Sequence, residues 1–343
     1  MEWRELFEMK LGFGGLRLPV KGDKEEVDYK IMCEMVDTYV ANGGRYFDTS
    51  YIYHRGMSEP AMAACVMDRL PRDSFCLADK LPSWNSYGMD TPEDVFHEQL
   101  RKCHTDYFDF YLLHNLNART IGYVEKQGTF ELLQKLKQRG DIRYGGFSFH
   151  DTPQMLDQLL TEHDEVDFVQ LQINYYDWFS NYVNAGKCYE VALKHDKPVI
   201  VMETVRGGGL AKLPPEAEQL LAAVAPGMSP ASFAIRYAAG LDQVMMVLSG
   251  MSTPEQVRDN CSYMNAEAFR RLSDAEYEAL LQVCRILKRQ EEIPCRDCHL
   301  CEKVCPIINV KPEEEKPQKG YLLQNKDVKV LAESTSGGAY TAI

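Results

Sequence analysis

Four ionisable side chains suited to acid–base chemistry stand at the ends of predicted β-strands. Asp48, in the run "RYFDTS", and Tyr53, after it, are five residues apart, a spacing that suits a loop better than one face of a helix or strand. Lys80 ends the run "FCLADK", and His114 ends the run "FYLLH". Each residue alone has an ordinary structural explanation, so only the set of four indicates chemistry.

The chemistry that this set favours is the transfer of a proton to an oxygen atom. A tyrosine has an ordinary pKa of about 10, which is too high for efficient acid–base work at neutral pH. A neighbouring lysine ammonium stabilises the phenolate and lowers that pKa, and a carboxylate beside the lysine keeps it charged. A histidine can form a hydrogen bond with a substrate carbonyl. Tyr53, Lys80, Asp48 and His114 together therefore predict the reduction of a carbonyl to an alcohol.

For these side chains to meet, their strands must be parallel, with the carboxyl ends at one edge. Eight β-type runs alternate with amphipathic stretches between residues 9 and 290. Three of the stretches begin with proline behind Asp-Thr or Ser-Thr, which is typical of a helix start. Eight such units in about 280 residues predict an α/β fold of the (β/α)8 or TIM barrel type, with its active site at the carboxyl ends of the strands. A doubly wound open sheet is the alternative, but no GxGxxG run opens a helix after the first strand.

The bulk composition is that of an acidic globular protein. The chain has 343 residues, 45% hydrophobic and 26% charged, and a formal net charge of −13. This balance argues against nucleic acid or an anionic membrane as the main partner. No apolar run reaches the roughly 18 residues that a membrane helix needs. The start, "MEWRELFEMK", lacks the apolar core of a signal peptide, so we expect a cytoplasmic protein.

Four of the eleven cysteines are crowded into "CRDCHLCEKVCP". They are Cys295, Cys298, Cys301 and Cys305. The spacing C-x2-C-x2-C-x3-C followed by proline is typical of ferredoxin-like segments that hold an iron–sulfur (4Fe-4S) cluster. A zinc site is the alternative, although zinc usually uses well-separated C-x2-C pairs or adds histidine. In two-cluster ferredoxins the fourth cysteine binds the other cluster, so either Cys305 or a distant cysteine such as Cys261 or Cys284 completes the set.

The motifs over residues 5 to 290 together resemble the aldo-keto reductase family. The segment "RYFDTSYIYHRGMSE" resembles the family's D-T-A-x-x-Y-G-x-x-E, "LADK" its T-K strand end, "FYLLH" its L-L-H, and "GGFSFH" its G-V-S-N. The resemblance implies a nicotinamide-dependent reductase of small carbonyl compounds, or the reverse alcohol dehydrogenase, on a (β/α)8 barrel. It implies that Tyr53 is the general acid and that Lys80, paired with Asp48, lowers its pKa. His114 would orient the substrate carbonyl.

The resemblance also implies a site for NADP(H) or NAD(H). Ser148 and Gln170 occupy the family's positions that hold the nicotinamide carboxamide, and Glu203 follows a seventh strand without the family's stacking aromatic residue. The run "RGGG" after that strand could bring glycine backbone to the pyrophosphate with arginine as charge partner, or could be a plain flexible loop. The expected cofactor-binding residues are Ser148, Gln170, Glu203, Arg206, Gly207, Gly208, Ser249, Gly250, Gln256 and Asn260.

The choice between the two cofactors rests on the stretch "SGMSTPEQVRDN", which resembles the family's segment for the adenosine phosphate. Asn260 matches the family's pattern, whereas Gln256 stands where many relatives have an arginine that clamps the 2′-phosphate. A phosphate prefers a bidentate guanidinium. Both cofactors therefore stay open, with NADP(H) favoured.

Three consecutive regions are expected along the chain. Residues 1–290 are the barrel, 291–312 the ferredoxin-like segment, which some aldo-keto reductases also carry, and 313–343 a tail. The tail resembles the start of the deazaflavin-reducing hydrogenase β-subunit family, so it is expected to begin a truncated further domain, or else to be a disordered tail.

The two predicted sites allow more than one function. Hydride transfer moves two electrons and a cluster passes one at a time, so a redox-active cluster needs a flavin-containing or ferredoxin-type partner; otherwise the cluster is structural. The expected function is a carbonyl reductase with an appended cluster. The alternatives are an electron-transfer subunit whose barrel docks a flavin-containing partner, and a nicotinamide-binding module without turnover.

Overall fold

The computed structural model describes residues 6–22, 26–84 and 91–291, which form a closed barrel of eight parallel strands. The strands pair in chain order and β8 pairs with β1. They are β1 (Leu11–Gly14), β2 (Tyr46–Asp48), β3 (Cys76–Pro82), β4 (Phe108–Leu116), β5 (Ile142–Phe149), β6 (Phe168–Gln172), β7 (Val199–Met202) and β8 (Val244–Ser249). The predicted (β/α)8 barrel is confirmed, whereas the predicted iron–sulfur segment and the tail lie outside the described residues.

Eleven α-helices accompany the strands within the described ranges. They are α1 (Tyr29–Ala41), α2 (Ser58–Met62), α3 (Pro92–Cys103), α4 (Ile121–Gln127), α5 (Thr129–Arg139), α6 (Pro153–Glu162), α7 (Ala185–Lys194), α8 (Pro215–Val224), α9 (Pro230–Ala239), α10 (Pro254–Met264) and α11 (Asp274–Glu291). The three predicted proline starts are confirmed: Thr91, Thr152 and Thr253 each accept a backbone hydrogen bond in front of α3, α6 and α10. None of the described helices is long and apolar enough to cross a membrane.

Besides α4, which precedes α5 between β4 and β5, two helices lie outside the eight-unit pattern that the sequence indicates. Helix α8 is inserted between β7 and α9, and α11 follows the last strand–helix unit. The two helices contact each other, so they form an addition to the barrel rather than part of its repeat.

Strand periodicity explains how the barrel interior is filled. Alternate residues of a strand face the same side. The inward positions near the amino ends are apolar and include Tyr46, Ala78, Leu112 and Phe168, all fully buried. The Phe7 ring packs on Tyr46 with 5.7 Å between ring centroids. This apolar layer forms the floor beneath the polar residues at the other end.

The same periodicity places a polar layer above that floor. Two residues further along their strands lie Asp48, Lys80, His114, Ser148 and Gln170, all buried. Ser148 and Gln170 are directly paired between β5 and β6. The carboxyl ends of five neighbouring strands therefore carry five polar side chains at one mouth of the barrel.

Candidate active site

Lys80 and Asp48 form a buried ion pair at the centre of the mouth. Lys80 Nζ donates hydrogen bonds to Asp48 Oδ1 and to the Thr49 carbonyl oxygen, each at 2.6 Å. Burial lowers the pKa of Lys80, but Asp48 and Tyr53 more than offset it, so the pKa is raised above its ordinary value. Burial raises the pKa of the Asp48 carboxyl, and the Lys80 ammonium opposes that effect. Lys80 is therefore held as an ammonium ion.

Tyr53 lies beside this ammonium ion. Its ring centroid is 4.8 Å from Lys80 Nζ, and it begins a turn after β2 in which His54 and Arg55 have left-handed backbone angles. The Leu18 backbone N–H donates to His54 Nε2 at 2.8 Å, which ties this turn to the loop after β1. Burial raises the pKa of Tyr53, while Lys80 lowers it and Asp48 raises it further. The resulting pKa of Tyr53 is above the ordinary value. The rise that burial causes is therefore larger than the lowering by the Lys80 ammonium, which was the effect expected from the sequence.

His114 is the fourth side chain of this group. Its ring centroid is 5.9 Å from that of Tyr53 and 5.8 Å from that of Trp84. Burial, and then the positive charge of Lys80, hold the pKa of His114 well below its ordinary value. The imidazole is therefore neutral, and its Nδ1 lies 3.0 Å from the Ser50 hydroxyl oxygen. A neutral ring with one nitrogen engaged can offer a single directed N–H.

A cavity of about 330 Å³ extends from the Asp48 and Tyr53 side of this group to the loops after β7 and β8, and Lys80 and His114 do not line it. Asp48 and Tyr53 line one part of it. The predicted cofactor residues on its wall are Gln170, Glu203, Gly207, Gly208, Ser249, Gly250, Gln256 and Asn260. The structure therefore brings most of the residues predicted to bind the cofactor to one continuous wall.

Two predicted cofactor residues do not line this cavity. Ser148 is buried behind the wall, where its Oγ accepts a hydrogen bond from the Asn115 backbone N–H at 2.7 Å. The Arg206 guanidinium lies over the Tyr176 ring, 4.5 Å from its centroid, and 3.7 Å from the Asp177 carboxylate. Arg206 is thus held by neighbours on the β6–α7 connection rather than aimed at the cavity.

The inner part of the cavity wall carries two oxygen atoms that can accept hydrogen bonds. Gln170 Oε1 and Asp48 Oδ2 are buried and have no hydrogen-bond partner among the described residues. Unpaired buried acceptors are costly. Both residues line the cavity. An amide or hydroxyl donor in a ligand would satisfy them.

The outer part of the wall is shaped by β8 and the start of α10. Asn260 Nδ2 donates to Ser249 Oγ at 3.0 Å, and the Ser252 backbone N–H donates to Gln256 Oε1 at 2.7 Å. The nearby Arg258 pairs instead with Glu255 at 2.6 Å. The β8–α10 segment therefore offers amides and hydroxyls rather than a free guanidinium.

Arg17 is a cavity residue that the sequence analysis does not identify. It is exposed in the loop after β1, and a Cβ built on Gly250 would lie 3.3 Å from its side chain. A Cβ built on Gly207 would lie 3.4 Å from Arg17 Nη2. Within the described residues its guanidinium makes no ion pair or hydrogen bond, while its carbonyl oxygen accepts a bond from Ser252 Oγ at 2.8 Å. The signal that the sequence offers for Arg17 is its position directly after the glycine-rich run "GFGGL".

Comparisons with known proteins agree with this architecture. The model of the Aldo/keto reductase family matches residues 10–284. An oxidoreductase of Bacillus subtilis (strain 168), YqkF, described as uncharacterized, is 27% identical over 273 residues, covering 72% of this chain and 85% of the relative. A protein of Mycobacterium avium (strain 104) named aldo-keto reductase is 28% identical over 219 residues, covering 64% of this chain and 70% of its own.

Solved structures share the fold at lower identity. The holo form of aldo-keto reductase AKR11C1 from Bacillus halodurans matches with a TM-score of 0.61 and 24% identity, over 80% of this chain and 91% of that chain. An aldo/keto reductase from Klebsiella pneumoniae in complex with NADP and acetate matches with a TM-score of 0.62 and 20% identity, over 81% and 90%.

Proposed function

Because the chain belongs to the aldo/keto reductase family and is an oxidoreductase of that type, we propose that it reduces small aldehydes or ketones at the expense of a nicotinamide cofactor. One observation carries the proposal. Lys80, fixed by Asp48, holds its ammonium group 4.8 Å from the Tyr53 ring at the wall of the cavity.

The cavity wall fits a nicotinamide dinucleotide. The unpaired Gln170 Oε1 can accept a hydrogen bond from a carboxamide N–H. Gly207 and Gly208 have φ values of 63° and 102°, so the backbone can approach a phosphate closely there. A bound reduced nicotinamide would supply the hydride. That a relative from Klebsiella pneumoniae was solved with NADP supports this cofactor class.

Tyr53 is the proposed proton donor. Because its pKa is raised, the phenol keeps its proton at neutral pH, as a general acid must. When the proton passes to the carbonyl oxygen, the phenolate that remains lies beside the Lys80 ammonium. The ammonium therefore acts mainly on the transition state, where negative charge develops, and Asp48 holds it in place.

His114 is the proposed group that orients the substrate carbonyl. If the Ser50 hydroxyl donates to Nδ1, the single ring proton lies on Nε2, which can donate to the carbonyl oxygen. The low pKa keeps the ring neutral, so it does not release a second proton. Trp84 beside it supplies an apolar wall for the substrate.

Arg17, rather than Arg206, is the proposed charge partner of the cofactor pyrophosphate. The Arg17 guanidinium lies next to Gly207, whereas Arg206 is held over Tyr176. A guanidinium is suited to a phosphate because it can donate two parallel hydrogen bonds. With Gln256 at the adenosine end, we propose NADP(H) as the cofactor, with weaker discrimination against NAD(H) than a guanidinium there would give.

The iron–sulfur cluster is proposed from the cysteine spacing alone. Cys295, Cys298, Cys301 and Cys305 lie outside the described residues, and no group of three or more metal-ligating side chains occurs within them. Anaerobically purified protein is expected to be brown, with visible absorption that bleaches on dithionite. Colourless protein that contains zinc would contradict the cluster and, with it, the flavin-containing or ferredoxin-type redox partner.

The test of the proposed function is Tyr53→Phe. We expect the turnover of a small aromatic aldehyde with NADPH to fall by about 10²–10⁴, because the general acid is lost. The affinity for the cofactor, measured through the quenching of protein fluorescence, should stay unchanged. The matched control is Tyr51→Phe in the same loop, because the Tyr51 ring faces Lys102 rather than Lys80. Unchanged turnover in Tyr53→Phe would rule out Tyr53 as the acid.

A further inference from the structure

Two cysteine thiols meet between α1 and the helical segment after α2. Cys33 Sγ lies 3.0 Å from Cys65 Sγ. Cys33 is on α1, and Cys65 is in a π-helical turn, Ala63–Met67, that continues α2. Neither cysteine belongs to the proposed active site or to the predicted cluster. The two sulfurs need to approach by only about 1 Å to reach the length of a disulfide bond.

The surroundings hold these two elements in register. Arg69 donates to both carboxylate oxygens of Asp37 on α1, at 2.7 and 2.9 Å. The same guanidinium donates to the Cys65 carbonyl oxygen at 3.2 Å. The Cys65 thiol also donates to the Tyr29 carbonyl oxygen at 3.5 Å. These hydrogen bonds between the two elements therefore hold the two thiols close together.

We propose that Cys33 and Cys65 are a reversible dithiol–disulfide site whose oxidant is a low-molecular-weight disulfide such as oxidised glutathione. Reversible disulfides of this kind are the usual exception to the reduced state of intracellular thiols. The bond would close a loop that contains Asp48 and Tyr53, so it would fasten both ends of the segment that carries the proposed acid.

The order of reaction follows from exposure. Cys33 is partly buried and Cys65 is fully buried, so a reagent in solvent meets Cys33 first. The Cys33 thiolate attacks the small disulfide, forms a mixed disulfide and releases one glutathione thiol. Burial and the neighbouring Cys33 raise the pKa of the Cys65 thiol, so Cys65 gives up its proton only as its sulfur attacks Cys33 Sγ and releases the second glutathione, which makes this the slower step. Two cysteine thiols lose two electrons and two protons, and one glutathione disulfide becomes two thiols.

The experiment is peptide mapping of the full chain after anaerobic incubation with oxidised glutathione, alkylation and trypsin. Residues 31–45 and 56–69 are tryptic peptides that each contain one cysteine. We expect them as a disulfide-linked pair, two hydrogens lighter than their sum, which dithiothreitol separates. Cys284 is the matched control: it is also partly buried, but its thiol faces the Tyr175 carbonyl oxygen. Its peptide, residues 272–285, should carry a glutathione adduct only.

The Cys65→Ser variant tests the second step. Without the resolving thiol, Cys33 is expected to accumulate a stable glutathione adduct, which proves that the variant still presents Cys33. A wild-type protein in which peptide 31–45 carries only glutathione would overturn the proposal. So would a peptide 31–45 that remains fully alkylated by the trapping reagent while the Cys284 peptide reacts. These results depend on no substrate or cofactor, so they are independent of the proposed function.

Discussion

Replacing Lys80 by methionine removes the buried ammonium ion while keeping a side chain of similar length. The ammonium is 4.8 Å from the Tyr53 ring centroid. At an effective dielectric constant of about 20, two unit charges at that distance interact by about 3.5 kcal/mol. If the phenolate develops fully in the transition state, Lys80→Met should lower kcat by roughly 350-fold, since each 1.36 kcal/mol is about tenfold. Partial development of the charge gives a proportionally smaller loss.

The same substitution also affects stability, and the two effects must be separated. Asp48 is buried and would lose the cation paired with it, which typically costs about 3–5 kcal/mol. The Asp48 pKa is already raised, and it should rise further without Lys80. An acid whose pKa is higher in the folded state stabilises the fold at low pH and loses that contribution as the pH rises. The wild type and Lys80→Met lose this contribution together until the pH reaches the raised pKa of Asp48 in the wild type, which lies above the ordinary value of about 4. The stability deficit of Lys80→Met should therefore grow only as the pH rises beyond that wild-type pKa.

The assays are urea unfolding at several pH values and single-turnover kinetics with NADPH and a small aromatic aldehyde, on protein shown to be folded. The double variant Asp48→Asn with Lys80→Met is the control, because it removes both charges. It should recover most of the stability while remaining as slow as Lys80→Met. The reasoning fails if folded Lys80→Met reduces the aldehyde within threefold of the wild-type rate, or if the double variant regains activity together with stability.

Three other perturbations test separate parts of the structure. Arg17→Gln should weaken the binding of NADPH and of NADH by the same factor, about 10-fold or more, because a charge-assisted contact is lost. Fluorescence quenching measures both affinities. A loss of affinity for NADPH alone would place Arg17 at the 2′-phosphate instead. The free energy of unfolding of the wild type should fall as the pH drops below about 6.5. Below that pH His114 binds a proton in the unfolded chain but stays neutral in the folded protein, where its pKa is well below the ordinary value. His114→Asn should reduce that slope by up to about 1.4 kcal/mol per pH unit in urea titrations, and an unchanged slope would contradict a neutral buried ring. Oxidation of Cys33 and Cys65 should raise the unfolding free energy by about 3–4 kcal/mol, the value expected for closing a loop of roughly 30 residues, and Cys65→Ser should show no such gain.

The sequence by itself determined the barrel and the end of it at which these polar side chains meet, while their catalytic roles stay predictions. Eight β-type runs alternating with helical stretches leave few other folds, and the period of two along a strand carries Asp48, Lys80 and His114 to the same end. The loop position of Tyr53 follows from its spacing after β2. These inferences succeed because local periodicity and strand direction are properties of short segments.

Only the tertiary structure decided the electrostatics and the long-range contacts. The pKa of Tyr53 rises because the folded chain removes much of the ring from water, an effect that the nearby lysine in the sequence pattern does not reveal. Arg17 reaches Gly207, and Cys33 meets Cys65, because closure of the barrel and packing of α1 bring together segments far apart in the chain. Burial and approach in space depend on how all the elements pack, and no local pattern of residues encodes them.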